Sequence, residues 1–404
     1  MMNWQELFAS RTQSMKASEI RELLKLLDQP DIISFAGGIP DPVLFPKEKF
    51  QAAYSEILGS EEADKGLQYS VSEGYYPLRV WLAERMAEMG VPCTPDNIFI
   101  TSGSQQGLDY LGKLFLSPKD TAIVEWPTYL GAIQAFRAYE PSFDQLNLNG
   151  NRSPESYVSQ AEEQGGLVKM LYASVDFANP TGKTLSLAER EALLDLSNEL
   201  QAPVIEDAAY QALRYEGDAL PPVLALDVAR SGNIEKTSTI YCGSFSKTLS
   251  PGLRVGWVCA AQDVINKLVL IKQASDLHSP TLNQMAVHRV VQSGFNEQIE
   301  AIKTCYKGKR DVMLEALSLY MPEGVHWTIP EGGMFVWLTL PQSIDGVKLL
   351  EKSVREQKVA FVPGNAFHPD GTGTNTMRLN FSRPDADAIK TGIEKLAVAI
   401  SQMA

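Results

Sequence analysis

The sequence is poor in three features that mark common classes of protein. Basic charge is scarce: 36 lysines and arginines face 49 aspartates and glutamates, for a formal net charge of -13 and a pI near 4.9. A sequence-independent grip on phosphodiester backbones needs a basic face, so small molecules are expected as partners and nucleic acid is not. Cysteine is scarce too: Cys93, Cys242, Cys259 and Cys305 lie far apart, without the paired spacing of a metal site. Cys242 and Cys259 sit in apolar, strand-like runs where cysteine acts as a small hydrophobe. Reduced thiols, a cytoplasmic location and no bound metal are the expectation. Long uncharged apolar runs are missing, so no membrane span is expected, and "MMNWQELFASRTQSMKASEI" lacks the basic-then-apolar order of a secretory signal. No internal repeat or low-complexity tract is visible.

What is present is ordinary globular composition, 44% hydrophobic over 404 residues, enough for one large α/β domain or two unequal ones. "ASEIRELLKLLDQP" spaces Ile20, Leu23, Leu24 and Leu27 as a short amphipathic helix that stops at Pro30. A segment dense in Gly and Pro follows. From Asn97 onward, short apolar runs such as "NIFITSGS", "TAIVEW", "LVKMLYAS", "APVIED", "STIYCGS" and "RVGWVCA" alternate with helical stretches such as "LAEREALLDLSNEL". Strands buried on both faces and separated by helices predict a mainly parallel sheet with helical crossovers. Past about residue 295 comes a long charged helix, then "GGMFVWLTL", "VAFVPG" and "TMRLNFS", strands of a smaller α+β unit. The expected organisation is an N-terminal arm and part of a small domain over 1–50, a large domain over 51–294, and a C-terminal small domain over 295–404.

In open α/β sheets, ligands bind beyond the carboxyl ends of the strands, so polar residues there carry the functional weight. Four ends stand out. "FITSGSQQGL" places Gly103 and Ser104 where a helix begins, which suits an anion but equally a plain helix cap. "YASVDFANPTG" ends in Asn179-Pro180-Thr181-Gly182, which by itself reads as a turn. "APVIEDAAY" ends in Glu206 and Asp207 with Tyr210 beyond; an acid here either caps the next helix or holds a cationic nitrogen. "GSFSKTLSPGLRVGW" sets Lys247 in the loop between two strands. It lacks the Gly that a P-loop needs before its Lys, so the P-loop reading fails.

A lysine can instead form a Schiff base with an aldehyde cofactor. Pyridoxal 5′-phosphate needs that lysine, a carboxylate for its ring nitrogen, donors for its phenolic oxygen, and hydroxyl or cationic groups for its phosphate. Lys247, Asp207, Tyr210 with Asn179, and Ser104 with Ser244, Ser246 and Arg254 supply all four. One constellation accounts for every strand end.

With these residues in order, the chain resembles the fold-type I, class I/II aminotransferases, and within them the 2-aminoadipate and kynurenine aminotransferase subgroup. The similarity runs from "KASEIRELLKL" and "SFAGGIPDP" through "LQYSVSEGYYPLR", "TSGSQQGLD", "NPTG", "VIEDAAY" and "GSFSKTLSPGLRVGW" to "KQASDLHSPTLNQ", "GGMFVW" and "NTMRLNFS". "NPTG" alone is weak; the ordered set with S-x-S-K-x-x-x-P-G-x-R is specific. The resemblance implies a large domain with a seven-stranded, mainly parallel sheet flanked by helices, and a small α+β domain built from both chain ends. It implies transamination by a ping-pong mechanism from an amino acid to 2-oxoglutarate, with a broad donor range or with 2-aminoadipate, aromatic or branched-chain donors.

Roles follow from the same resemblance. Lys247 would bind the cofactor and shuttle a proton between the substrate Cα and the cofactor's C4′. Asp207 would keep the ring nitrogen protonated, Tyr210 and Asn179 would bond the phenolic oxygen, and Tyr129 would stack on the ring. Ser104, Gln105, Ser244, Ser246 and Arg254 would hold the phosphate, and Tyr69 would reach the phosphate of a partner subunit in a homodimer. Arg378 would pair with the substrate α-carboxylate through its bidentate fork. Gly38, Asn179 and Arg21 would complete the substrate site, with Arg21 favouring a distal carboxylate. Asp176 and Ala178 depart from the usual residues ahead of the Asn. Competing readings keep the cofactor but change the outcome, as a valine–pyruvate-type transaminase, β-lyase or decarboxylase. Others are a regulator with an aminotransferase-like domain, disfavoured by the acidic pI and the three dozen residues ahead of "FAGGIPDP", and a non-catalytic binding protein, disfavoured by the presence of both Lys247 and Asp207.

Overall fold

A computed structural model describes residues 2–13, 15, 31–150 and 152–403. The amphipathic helix expected around residues 17–30 and Arg21 within it lie outside the described residues. Seven strands form the main sheet: β2 (Ile98–Thr101), β3 (Thr121–Val124), β4 (Ser142–Gln145), β5 (Val168–Ala173), β6 (Val204–Asp207), β7 (Thr239–Ser244) and β8 (Gly256–Cys259). Their spatial order is β2-β8-β7-β6-β5-β3-β4, with parallel pairing except where β8 runs against both β2 and β7. All residues of β2, β3, β6, β7 and β8 are buried, which is why these strands read as unbroken apolar runs rather than as alternation. Each fully buried Ile, Val or Phe side chain contributes about 1.5–3 kcal/mol.

The crossovers are helices with legible ends. Leu187–Leu200 starts at Ser186, whose hydroxyl accepts from the Glu189 N–H while the Glu189 carboxylate accepts from the Ser186 N–H. β4 is the strand that periodicity did not anticipate. It lies at the sheet edge, where "SFDQ" is only half buried and carries no apolar run.

Beyond the long helix Phe295–Tyr320, β9 (His326–Trp327), β10 (Phe335–Thr339), β12 (Val362–Pro363) and β13 (Thr376–Asn380) form an antiparallel sheet in the order β12-β13-β10-β9. The run "VAFVPG", expected as one strand, is two. Its first half, β11 (Val359–Ala360), pairs in parallel with β1 (Ile33–Ser34) instead of joining that sheet. The turn of direction at Phe361 serves both, and the segment after residue 30 is thereby stitched to the C-terminal part of the chain. Among the described residues, no helix is long and apolar enough to cross a membrane.

Candidate active site

The carboxyl ends of β2, β5, β6 and β7, with the start of β8, open on one cavity of about 280 Å³. One end of it is built from backbone geometry. Thr101 pairs with Gly256, so the start of β8 lies against the turn after β2. There Gly103 takes φ 78°, and a Cβ at this position would stand 2.3 Å from the Arg254 Nη2. Only glycine lets the guanidinium close over the N-terminus of the helix Ser104–Phe115, where free N–H groups favour an anion. The Arg254 Nη2 donates to the Ser102 carbonyl at 3.2 Å. Across the mouth, the Ser244 hydroxyl donates to the Ser246 hydroxyl at 2.9 Å and accepts from the Ser246 N–H at 3.1 Å.

The two acids that end β6 part ways because successive side chains of a strand point to opposite faces. Glu206 turns from the cavity and accepts from the N–H groups of Val223 and Leu224 at 2.8 and 2.9 Å, at the start of the helix Val223–Ser231. The capping role weighed for this strand end therefore falls to Glu206. Asp207 faces the cavity, buried, accepting from the Tyr172 hydroxyl at 2.7 Å and from the Ala209 N–H at 3.3 Å. Burial pushes its carboxyl up from the ordinary range, and the Tyr172 hydrogen bond pulls it partly back. Nearby Glu125, which accepts from the Ser174 N–H at 2.7 Å, is pushed by burial to about 8.

Lys247 lies in the loop between β7 and β8, and its Nζ donates to the Gly38 carbonyl at 2.9 Å. Burial first, then the charges of Arg378 and Arg254, lower its amine to about 8; Asp207 works the other way. Arg378 on β13 is buried, with Nη1 donating to the Asn179 Oδ1 and Nη2 to the Ala36 carbonyl, both at 2.7 Å. The ring centroids of Phe335 and Phe367 lie 4.3 and 5.0 Å from the guanidinium carbon, and the buried Nε has no partner among the described residues. Tyr210 stands edge-on to Phe335, and burial raises its hydroxyl, with the Asn179 hydrogen bond opposing. Tyr129 is pushed up to about 12 by burial, and its hydroxyl donates to Gln105 at 3.4 Å.

Of the residues singled out in the sequence, the cavity gathers Gly38, Ser104, Gln105, Tyr129, Asn179 and Asp207, and also Tyr210, Ser244, Ser246, Lys247, Arg254 and Arg378. Tyr69 stands apart, exposed, with its ring edge-on to His278 at 6.0 Å. Ser174, Ala209 and Pro251 also line the cavity and were not singled out; Ser174 and Ala209 are continuations of strand ends that were. Tyr172, inside the run "LVKMLYAS", gave no signal beyond an apolar strand. Asp176, the departure before "NPTG", faces away from the cavity into an ion-pair cluster with Arg190 at 2.7 Å and Arg214 at 3.3 Å.

Residues 40–396 match the family model described as aminotransferase class I and II. The chain is a class I and II aminotransferase. Aromatic-amino-acid aminotransferase 1 of Thermococcus litoralis is 42% identical to it over 99% of this chain and 95% of its own length. The 2-aminoadipate transaminase of Thermus thermophilus is 42% identical over 99% of this chain and 98% of its own. A solved structure of α-aminoadipate aminotransferase from Thermus thermophilus, complexed with N-(5′-phosphopyridoxyl)-L-leucine, superposes with a TM-score of 0.88 at 40% identity. The match covers 100% of this chain and 99% of that one.

The aminotransferase uses pyridoxal 5′-phosphate for transamination of amino and 2-oxo acids. The cavity of this chain fits that group: an amine, a buried carboxylate, and an anion cradle that one Cβ at Gly103 would fill. Two results are expected. Gly103→Ala should strain a positive-φ position and displace Arg254, at about 1–3 kcal/mol, raising the cofactor Kd about tenfold or more in equilibrium dialysis while the fold survives. If Lys247 is the amine that captures added cofactor, capture by the cofactor-free aminotransferase needs its neutral form, whose fraction rises with pH until about 8. The capture rate should therefore climb by about tenfold per pH unit below that value and flatten above it; a pH-independent rate would contradict the assignment.

Proposed function

We propose that the aminotransferase moves the α-amino group of an amino acid to 2-oxoglutarate by a ping-pong mechanism. The donors are drawn from 2-aminoadipate, aromatic and branched-chain amino acids. The observation that carries the reading is the Arg378 guanidinium: buried, in cation–π range of the Phe335 and Phe367 rings, held by Asn179 and Ala36, and with a fork that suits an α-carboxylate. The relatives named for 2-aminoadipate and aromatic amino acids support the donor range.

When bound, pyridoxal 5′-phosphate supplies an aldehyde that captures amines and a ring that accepts electrons. The chain's own residues do the rest. Lys247 holds the cofactor and moves the proton between the donor Cα and C4′, a task favoured by an amine lowered to about 8. Asp207 holds a proton on the ring nitrogen. Tyr210 and Asn179 bond the phenolic oxygen, Tyr129 stacks on the ring, and Ser104, Gln105, Ser244, Ser246 and Arg254 hold the phosphate. Gly38, Asn179, Arg378 and Arg21 bind substrate.

The same proposal includes a cytoplasmic homodimer in which Tyr69 reaches the partner's phosphate site. In support, Tyr69 is 79% exposed beside Leu67 at 71% and Val71 at 57%, an apolar stretch that a second subunit would cover. Of the division into 1–50, 51–294 and 295–404, the joining of the N-terminal part to the C-terminal one is supported by the β1–β11 pairing and the boundary near 294 by the break at Gly294 between two helices, whereas the boundary at 50 falls within the helix Lys47–Leu58.

An amino-donor panel run with 2-oxoglutarate and with pyruvate tests this function. Turnover of 2-aminoadipate or aromatic donors with 2-oxoglutarate is the expected result, and turnover with pyruvate alone would replace the reading by a valine–pyruvate-type one. On the same panel, Arg21→Ala should weaken dicarboxylic donors more than aliphatic ones; equal losses would remove the role proposed for Arg21.

A further inference from the structure

The Asp207 carboxylate does not stand alone behind the cavity. One oxygen, Oδ1, takes the Ala209 N–H at 3.3 Å, and the other, Oδ2, takes the Tyr172 hydroxyl at 2.7 Å. Tyr172 belongs to β5, beside β6, where it pairs with Ile205, two residues before Asp207. It is fully buried, does not line the cavity, and its ring is pinned edge-on against Phe136 at 5.7 Å between centroids. The hydroxyl thus has a fixed direction, and that direction is the carboxylate. A hydrogen bond to an ionised group is shorter and about twice as strong as a neutral one, and inside a low-dielectric wall it favours the anion over the acid.

A buried carboxylate keeps a proton on a ring nitrogen only while it is itself ionised and correctly turned. Burial works against the first requirement and free rotation about the side chain against the second.

We propose that Tyr172 is a positioning residue for the cofactor's ring nitrogen: its hydroxyl holds the Asp207 carboxylate ionised and turned toward that nitrogen. The inference rests on the role given to Asp207 above.

The test is a double-mutant cycle on cofactor affinity, with a spectroscopic readout beside it. Tyr172→Phe keeps the ring and removes the hydroxyl. The holoenzyme should then show a cofactor Kd raised by about tenfold or more, with the 15N resonance of bound, ring-labelled pyridoxal phosphate displaced toward that of a neutral pyridine. In the Asp207→Asn background, the same substitution should change the Kd by less than about twofold, because the effect runs through the carboxylate. Phe136→Leu, which frees the Tyr172 ring without removing its hydroxyl, carries the same cycle if Tyr172→Phe does not fold. Equal factors in both backgrounds, or an unmoved 15N resonance, would overturn the inference and leave Asp207 as assigned. An Asp207→Asn enzyme with unchanged affinity and resonance would overturn the Asp207 role as well.

Discussion

Lys247→Ala should lower kcat by about 10⁴-fold, the upper range for loss of a positioned proton carrier. In the proposed function the residue has two tasks, tethering the cofactor and moving a proton, and its surroundings suit both. The amine is lowered to about 8 by burial and by Arg378 and Arg254, so near neutral pH it passes readily between its protonated and free forms. Steady-state turnover with the best donor on the panel gives the number. Borohydride should fix the cofactor to the unsubstituted protein and fail to fix it to the variant. Added methylamine should restore part of the rate, since a diffusing amine can carry the proton but cannot be positioned. Near-normal turnover of the variant would end the assignment.

Asp207→Asn should lower kcat by about 2 × 10²- to 5 × 10³-fold, corresponding to the roughly 3–5 kcal/mol that breaking a buried charged pair costs. The KM for the amino donor should change far less, because the residue proposed to read the donor carboxylate, Arg378, lies on a different element. The pH dependence has a definite sign. Burial raises the Asp207 carboxyl above its ordinary range, so activity that needs the anion should fall away on acidification earlier than an exposed aspartate would dictate. In the Asn variant that acid limb should disappear. A variant that keeps both its rate and its acid limb would show that another group serves the ring nitrogen.

The main sheet was legible because its strands are buried on both faces. β2, β3, β6, β7 and β8 are short apolar runs, and the polar residues that interrupt them fall at their ends. β4 escaped for the opposite reason: an edge strand with one covered face carries no such run. The division of "VAFVPG" into β11 and β12 also escaped, since both halves are equally apolar and only their partners, β1 and β13, differ.

Within the site, the order of residues was enough to read the chemistry: a lysine between hydroxyls, an acid at a strand end, an Asn-Pro turn, and a glycine ahead of a helix. These are local patterns, carried by residues within a few positions of one another. Which acid faces the cavity was settled by packing, because Glu206 and Asp207 differ only in the side of the sheet they occupy and in the helix that waits on one side. Packing also brings Arg378 to Asn179 from 199 positions away and sets Tyr172 behind Asp207 from 35. Spacing along a chain records the period of one strand or helix. It does not record which strand lies alongside which, and that adjacency sets the ionisation and direction of each group in this site.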